Sequence, residues 1–511
     1  MKFKNFFILS VTSMMLLTAC DLFPFYSIPG SSNGTSNSQI SNGDGFYTPD
    51  SYSVTLADVR YETGYVNLDA VGEQKILVIP VNFTDYDCSD ITRGCDTTRN
   101  DIQKSFFGES ADTGWESVAS FYDKSSYGNL SLSGTVTPWF NLDKSTSQLQ
   151  NLSGYNDPTY YVLRNAVAWY KTYSGSSLTE FDTNSDGYLD AVWLVYATNY
   201  STDADTIYWA YTFWDYEEKA NLTSPVANVY AWASYNFMWE GGYGGVLTPK
   251  VDAHTYIHET GHILGLDDYY TYDPTPPNGD DWGAAGGIDM MDYNIADHTA
   301  YSKMALDWTK PYVVDGSADE VTLTLNPFES SGDCIIIKND WNGSALDEYL
   351  LVEFYTPTGL NEADSEAGGY PGNGARAFSF PGIKIYHIDS RMGKFNYSDY
   401  SFMNFTDSIQ FSLYNYYTDI AVSNTASYSY ADESFKLVHL IEASGENTLI
   451  QGYMAGDSAL FTQGETFDPT STAFRSFFVN PGKFNDSSTI GFSLHIDSVS
   501  SSQATVTISK V

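Results

Sequence analysis

The sequence predicts two folded parts: an α+β domain over residues 55–315 and an all-β sandwich domain over 316–511. Three observations carry this. Continuous apolar, β-branched runs such as QKILVIPVNF (74–83) and LDAVWLVYAT (189–198) read as buried strands, and stretches of helical spacing lie between and after them. Beyond about residue 315, EVTLTLNPF, CIIIK, EYLLVEFY, GIKIYHID, GFSLHID and ATVTISKV are short strand-like runs between polar loops, and helical periodicity is scarce. A chain of 511 residues also exceeds what one hydrophobic core organises.

The N-terminus precedes both domains. Lys2 and Lys4, the apolar stretch Phe6–Leu17 and the small residues Thr18 and Ala19 make residues 1–20 a secretory signal, too short to span a bilayer as a helix. Leu17-Thr18-Ala19-Cys20 resembles the lipobox of bacterial lipoproteins, which implies cleavage before Cys20 and a lipid on its sulfur. No later run of 18 apolar residues appears, so membrane attachment is expected only through that lipid. The expected location is the outer face of a bacterial membrane, or the extracellular space. Residues 21–54, with SSNGTSNSQISNGDG, read as a flexible tether.

In the first domain, WESVASFYDKSSYG (115–128) has helical spacing at Val118, Phe121 and Tyr122. LSLSGTVTPWF (130–140) alternates as a strand, and PTYYVLRNAVAWYKTY (158–173) reads as a helix. VDAHTYIHETGHILG (251–265) is a helix that Asp252 can cap and Gly265 can end. Cys88 and Cys95 lie close together in the polar loop DCSDITRGCD, and an exported protein permits their pairing as a disulfide. Cys334 reads as a buried thiol.

Charge narrows the function. Acidic residues number 64 against 24 basic ones, for a formal charge of −40. A nucleic-acid partner is excluded, since it needs a basic footprint, and anionic bilayers would be repelled. The acids serve either solvation alone or calcium binding.

Three of the seven histidines fall between 254 and 262. His258 and His262 are four apart, so they share one helix face, the spacing at which two neutral imidazoles hold zinc. Glu259 projects beside such a metal and can act as general base to the water it activates. The next glutamate is Glu320, so a glutamate ligand from a following helix is poorly served. Gly265 permits a positive φ that turns the chain back, and Asp268 then falls where a third ligand belongs, with Asp267 and His298 as substitutes. Three ligands leave a fourth position for water. His254, one turn before His258 on the same face, reads as structural, with a contact to substrate or to the groups behind the ligands as the alternative. In GGIDMMDYNIADHTAYSKMALDW (286–308), Met291 rather than Met290 is expected to be the methionine of a turn beneath the metal, the mark of metzincins. Tyr293 is either a hydrogen-bond donor to the oxyanion or a core or rim tyrosine.

A second cation site is expected in FDTNSDGYLDAV (181–192). Asp182, Asn184, Asp186, the Tyr188 carbonyl and Asp190 follow the first nine positions of an EF-hand-like calcium loop, with Gly187 at the bend. Trp193 stands where the closing glutamate would be, so a complete EF-hand is excluded and an Asx turn is the alternative.

These residues carry a family resemblance. HETGHILGLDDYYT is similar to the HEFGHxLGLPDxYD motif of the immune inhibitor A family of secreted bacterial metallopeptidases. KILVIPVNFTD, SVASFYDKSSYGNLSLSG, DTNSDGYLDAVWLVYA, MMDY…H…SKMALDW, EYLLVEFY and GIKIYHID follow in the family's order over roughly residues 74–390. The resemblance implies a zincin domain of metzincin type followed by β-sandwich material. It also implies His258 and His262 as zinc ligands, Glu259 as base and Asp268 as third ligand. Asp267 replaces the family's proline and Thr271 its last aspartate. The expected function is a surface-anchored zinc endopeptidase acting on proteins or peptides as a monomer. The alternative is a non-catalytic adhesin or scaffold on a metallopeptidase fold.

Overall fold

The computed structural model describes residues 45–63, 66–152, 158–200, 207–239, 250–272, 283–366, 377–409, 412, 415–425 and 430–511. The signal segment, Cys20 and the tether up to residue 44 lie outside the described residues.

The first part runs α1 (Leu56–Thr63), β1 (Gly72–Asn82), α2 (Cys95–Phe107), α3 (Val118–Ser125), β2 (Leu130–Val136), β3 (Phe140–Asn141), α4 (Thr146–Gln150), α5 (Pro158–Ser174), β4 (Ala191–Tyr196), β5 (Tyr211–Trp214), β6 (Val229–Ser234) and α6 (His254–Ile263). Its strands form one sheet of order β2-β1-β4-β6-β5, with β3 also paired to β1. The pairings are parallel except for the edge strand β5, which runs antiparallel to β6. Alternation along β1, β4 and β6 sends Ile76, Val78, Trp193, Val195 and Ala231 to a core shared with Phe106, Phe121, Tyr122, Tyr256 and Ile257. Leu77, Ile79, Val192, Leu194 and Tyr230 point the other way, onto Val162, Leu163, Ala166 and Val167 of α5. Strands covered on both faces need apolar residues at every position, which is why these runs are continuous in the sequence.

The chain continues through α7 (Met290–Tyr293), α8 (Ala300–Ala305), β7 (Tyr312–Val314), β8 (Glu320–Leu325), β9 (Cys334–Ile337), β10 (Glu348–Tyr355), β11 (Gly382–Asp389), β12 (Met392–Asn396), β13 (Phe402–Phe405), β14 (Tyr416–Ile420), β15 (Val438–Ile441), β16 (Thr466–Phe467), β17 (Phe492–Val499) and β18 (Ala504–Lys510). A five-stranded sheet (β15-β11-β10-β9-β7) and a four-stranded sheet (β16-β17-β18-β8) meet across a core of Ile335, Leu350, Val352 and Ile385 against Leu323, Leu494, Val506 and Ile508. The other face of the five-stranded sheet, with Ile336, Tyr349, Leu351, Tyr386 and Ile388, belongs to the core that also holds α6. A third sheet, β13-β12-β14, completes this part.

Two boundaries differ from the sequence reading. β7 lies before residue 315 yet pairs in parallel with β9, so the two parts share a sheet and a core across the expected junction. Residues 45–54, assigned to the tether by their polarity, are packed. Tyr47 exchanges backbone hydrogen bonds of 3.1 and 2.7 Å with Val313, and the Tyr52 hydroxyl donates to Thr309 O at 2.7 Å. Buried aromatic rings anchor what the flanking Ser, Gly and Asp disguise. Cys88 and Cys95 are joined as a disulfide, and Cys334 is a buried thiol beside Met304. Among the described residues no helix is long and apolar enough to cross a membrane.

Candidate metal centre

The site is built on α6. Asp252 Oδ1 accepts the His254 N–H at 2.9 Å at the start of the helix. At its end Gly265 takes φ +101°, a left-handed conformation open to glycine, and Leu266 N–H closes the turn on Gly261 O at 3.1 Å. The chain then folds back over the helix face that carries His258 and His262.

Both imidazoles are oriented by backbone carbonyls. His258 Nδ1 donates to Met290 O at 2.7 Å, and His262 Nδ1 donates to Leu266 O at 2.8 Å. A carbonyl oxygen only accepts, so each Nδ1 carries a proton and each Nε2 is the atom available to a metal. The two Nε2 atoms stand 3.2 Å apart, and Asp268 Oδ1 lies 3.1 Å from each. Tetrahedral zinc, with bonds of about 2.0–2.1 Å, spaces its ligand atoms roughly 3.3 Å apart. Donor set and spacing therefore both fit zinc. Among the described residues this is the one group of three or more metal-ligating side chains within reach of a common ion.

The electrostatics of the three groups agree with their closeness. Burial disfavours charge here, but the Asp268 carboxylate outweighs it at His262 and pushes that imidazole up to about 10. Burial also works against an ionised Asp268, yet His262 and His258 hold its carboxyl well below the usual range. Asp268 Oδ2 is taken by the Tyr272 hydroxyl, which leaves Oδ1 to face the histidines.

The substitute ligands lie elsewhere. Asp267 Oδ1 accepts from Arg60 Nη2 at 3.0 Å. His298 is enclosed by the rings of Phe121, Tyr122 and Trp308, with Nδ1 3.9 Å from Asp289 Oδ1. His254 pairs with Asp252 at 2.9 Å and stacks on Trp115 at 4.4 Å between ring centres, contacts of a structural residue.

Glu259 is buried, and that burial raises its carboxyl against the pull of His262 and His258. Thr212 Oγ1, on the edge strand β5, lies 2.8 Å from Glu259 O and 3.1 Å from its Oε2. Met291 is fully buried beneath the helix, where a side chain at Gly261 would overlap its sulfur. Tyr293 is one ring removed from the histidines: its ring centre is 6.0 Å from that of Tyr270, which is 6.4 Å from that of His258. Thr212, Tyr270 and Tyr272 were not singled out from the sequence. The two tyrosines follow directly in the DDYYTY run, a signal that was present, whereas nothing local to Thr212 marks it.

In the 182–190 loop, Asp182 accepts N–H groups from Asp186 at 3.0 Å and Gly187 at 3.1 Å, and Asp186 accepts from Tyr188 at 2.8 Å. The Asp190 carboxylate is held by the N–H groups of Thr183 and Lys75. Burial raises the carboxyls of Asp186 and Asp190, and Asp182 adds like charge to both. These carboxylates do not converge on one point as the two histidines and Asp268 do.

No model of a known protein family and no curated protein matches the chain.

Proposed function

We propose that the chain is a zinc-dependent endopeptidase of the immune inhibitor A type, exported and held at the outer face of a bacterial membrane through Cys20. The observation that supports this best is the approach of His258 Nε2, His262 Nε2 and Asp268 Oδ1 to within 3.1–3.2 Å of one another, with buried Glu259 next in the chain to His258. His258, His262 and Asp268 would hold the ion. When bound, zinc supplies a Lewis acid that polarises a carbonyl and lowers the pKa of water, to about 7 in well-studied sites.

The chain supplies the proton handling. The Glu259 carboxylate takes a proton from the attacking water and delivers it to the departing amine nitrogen. Burial makes that carboxylate a stronger base than an exposed glutamate, and Thr212 Oγ1 restrains its Oε2. Met290 O and Leu266 O keep the two imidazoles facing a common point. Calcium at residues 182–190 is part of the same proposal: burial raises the carboxyls of Asp186 and Asp190, Asp182 adds like charge to both, and a bound cation would offset these effects.

Casein hydrolysis and zinc content, measured on the wild type and on Glu259→Ala, test the reading. The variant should keep its zinc and lose hydrolysis by about 100-fold or more, the range of general-base catalysis. Undiminished hydrolysis by the variant, or wild-type hydrolysis indifferent to a zinc chelator, would overturn it. A wild type that binds zinc and cleaves nothing would instead favour the scaffold function.

A further inference from the structure

The tight turn that delivers Asp268 is gripped from outside by one buried cation. Arg60, on α1, keeps only 10 % of its side chain exposed. Its Nε and Nη2 both donate to Gly265 O, at 3.2 and 3.1 Å. Nη2 also reaches Asp267 Oδ1 at 3.0 Å, and Nη1 reaches Asp419 Oδ1, on β14, at 2.6 Å. One planar guanidinium thus joins the end of the zinc-ligand helix, the residue next to the third ligand and a strand of the C-terminal part.

We propose that Arg60 is a positioning residue of the metal centre: by pinning Gly265 O and holding Asp267, it makes Asp268 the third donor. The inference rests on the reading that His258, His262 and Asp268 hold zinc. Asp267 and Asp268 are chemically identical neighbours. After Gly265 the chain leaves the helix, and the two carboxylates are committed to opposite partners, Asp268 to the histidines and Asp267 to Arg60. Register decides which one faces inward, and Gly265 O is a point between the helix and these two residues that Arg60 fixes from outside. Carbonyls at a helix C-terminus lack intrahelical donors and carry partial negative charge, so a cation is favoured there. An arginine can satisfy that carbonyl, Asp267 and Asp419 at once because its donors are spread over a rigid fork, which a lysine ammonium cannot imitate. Without the guanidinium, the Asp267 carboxylate loses its counter-charge and becomes a competitor for the ion one residue from the proper ligand.

The test is zinc affinity of the full-length, metal-free protein, measured by competition with a chromogenic chelator. Arg60→Met should weaken zinc binding by about 10- to 100-fold, the effect expected when a ligand's support is removed. Adding Asp267→Asn to Arg60→Met should recover at least half of that loss on a logarithmic scale, a rescue that a merely structural arginine would not give. Asp267→Asn alone should bind within about threefold of wild type, since its partner is no ligand. Arg60→Lys should weaken binding with the same rescue, and it decides the matter if Arg60→Met does not fold. Wild-type affinity in Arg60→Lys, or no recovery on adding Asp267→Asn, overturns the role of Arg60 while leaving the metal centre standing. A wild type that binds no zinc overturns the metal centre and this role with it.

Discussion

A methyl group added at residue 261 should unseat Met291. Gly261 lies on α6 between the two histidines, and a Cβ built there overlaps Met291 Sδ and comes within 3.1 Å of its Cε and 3.3 Å of the Tyr122 hydroxyl. Met291 must move within a filled core, and the Tyr122 hydroxyl is held in place. Met291 is fully buried, and the Tyr122 hydroxyl is tied to Ile257 O at 2.7 Å. Overpacking of this kind costs about 1–3 kcal/mol. Alanine's better helix propensity returns roughly 1 kcal/mol, so Gly261→Ala should be destabilised by up to about 2 kcal/mol despite being a helix-favouring change. Met291→Ala alone should cost about 2–5 kcal/mol through its cavity. In the double variant the new methyl occupies space that the thioether has vacated, and the two losses should fall short of their sum by about 1 kcal/mol or more. Urea unfolding of the metal-free proteins, followed by tryptophan fluorescence, measures all four corners of the cycle. Losses that add to within about 0.5 kcal/mol, or a Gly261→Ala protein more stable than wild type, would show that Met291 does not bear on the helix at Gly261.

Three other perturbations are equally specific. Thr212→Val removes the hydroxyl beside Glu259 Oε2 and should lower kcat by roughly tenfold or more, with zinc content and KM unchanged; an unaltered kcat would refute a positioning role. Burial pulls His439 down to about 3, with its Nε2–H donating to Asn447 Oδ1 at 3.1 Å. Its unfolded value is about 6.5, so the unfolded chain takes up the proton first and stability is lost as pH falls from 6.5 towards 3. Between pH 5.5 and 4.5 the wild type should lose about 1.3 kcal/mol per pH unit more than His439→Gln, and equal slopes in urea unfolding would contradict this. Calcium should raise the Tm, and Asp182→Ala should erase that gain; a Tm indifferent to EGTA in the wild type would remove calcium from the 182–190 loop.

The parts of the fold that were legible are those whose environment leaves a local trace. ILVIPV and AVWLVY are apolar at every position because helices and the opposite core cover both faces of the first sheet. Periodicity says that a face is buried, however, and not what buries it. That is why the junction near residue 315 looked like a domain boundary, although β7 and β9 pair across it and Tyr349, Leu351 and Tyr386 pack into the core that holds α6. The sheet β13-β12-β14 left no readable pattern at all. Its strands are short, MGKFN, FMNF and YYTDI, and they mix glycine, amides and charge with half-exposed rings, so neither alternation nor continuous burial marks them.

The same limit divides the candidate metal centre. His258, Glu259, His262 and Gly265 sit within one helix and its turn, where spacing alone fixes direction, and so the sequence could carry them. The groups that hold them in place come from far along the chain: Thr212 is 47 residues from Glu259, and Arg60 is 205 from Gly265. Contacts of that range produce no period and no motif. Asp267 against Asp268 is the clearest instance. Composition cannot separate two adjacent aspartates, and either could follow a glycine turn. What distinguishes them is a guanidinium on one side and two imidazoles on the other, and only the folded chain brings those to opposite faces of the same loop. In the proposed zinc site the choice of the third ligand is therefore a property of α1 and β14 as much as of the HETGHILGLDD segment, and on that proposal changes at Arg60 or Asp419 should lower zinc affinity before they unfold the chain.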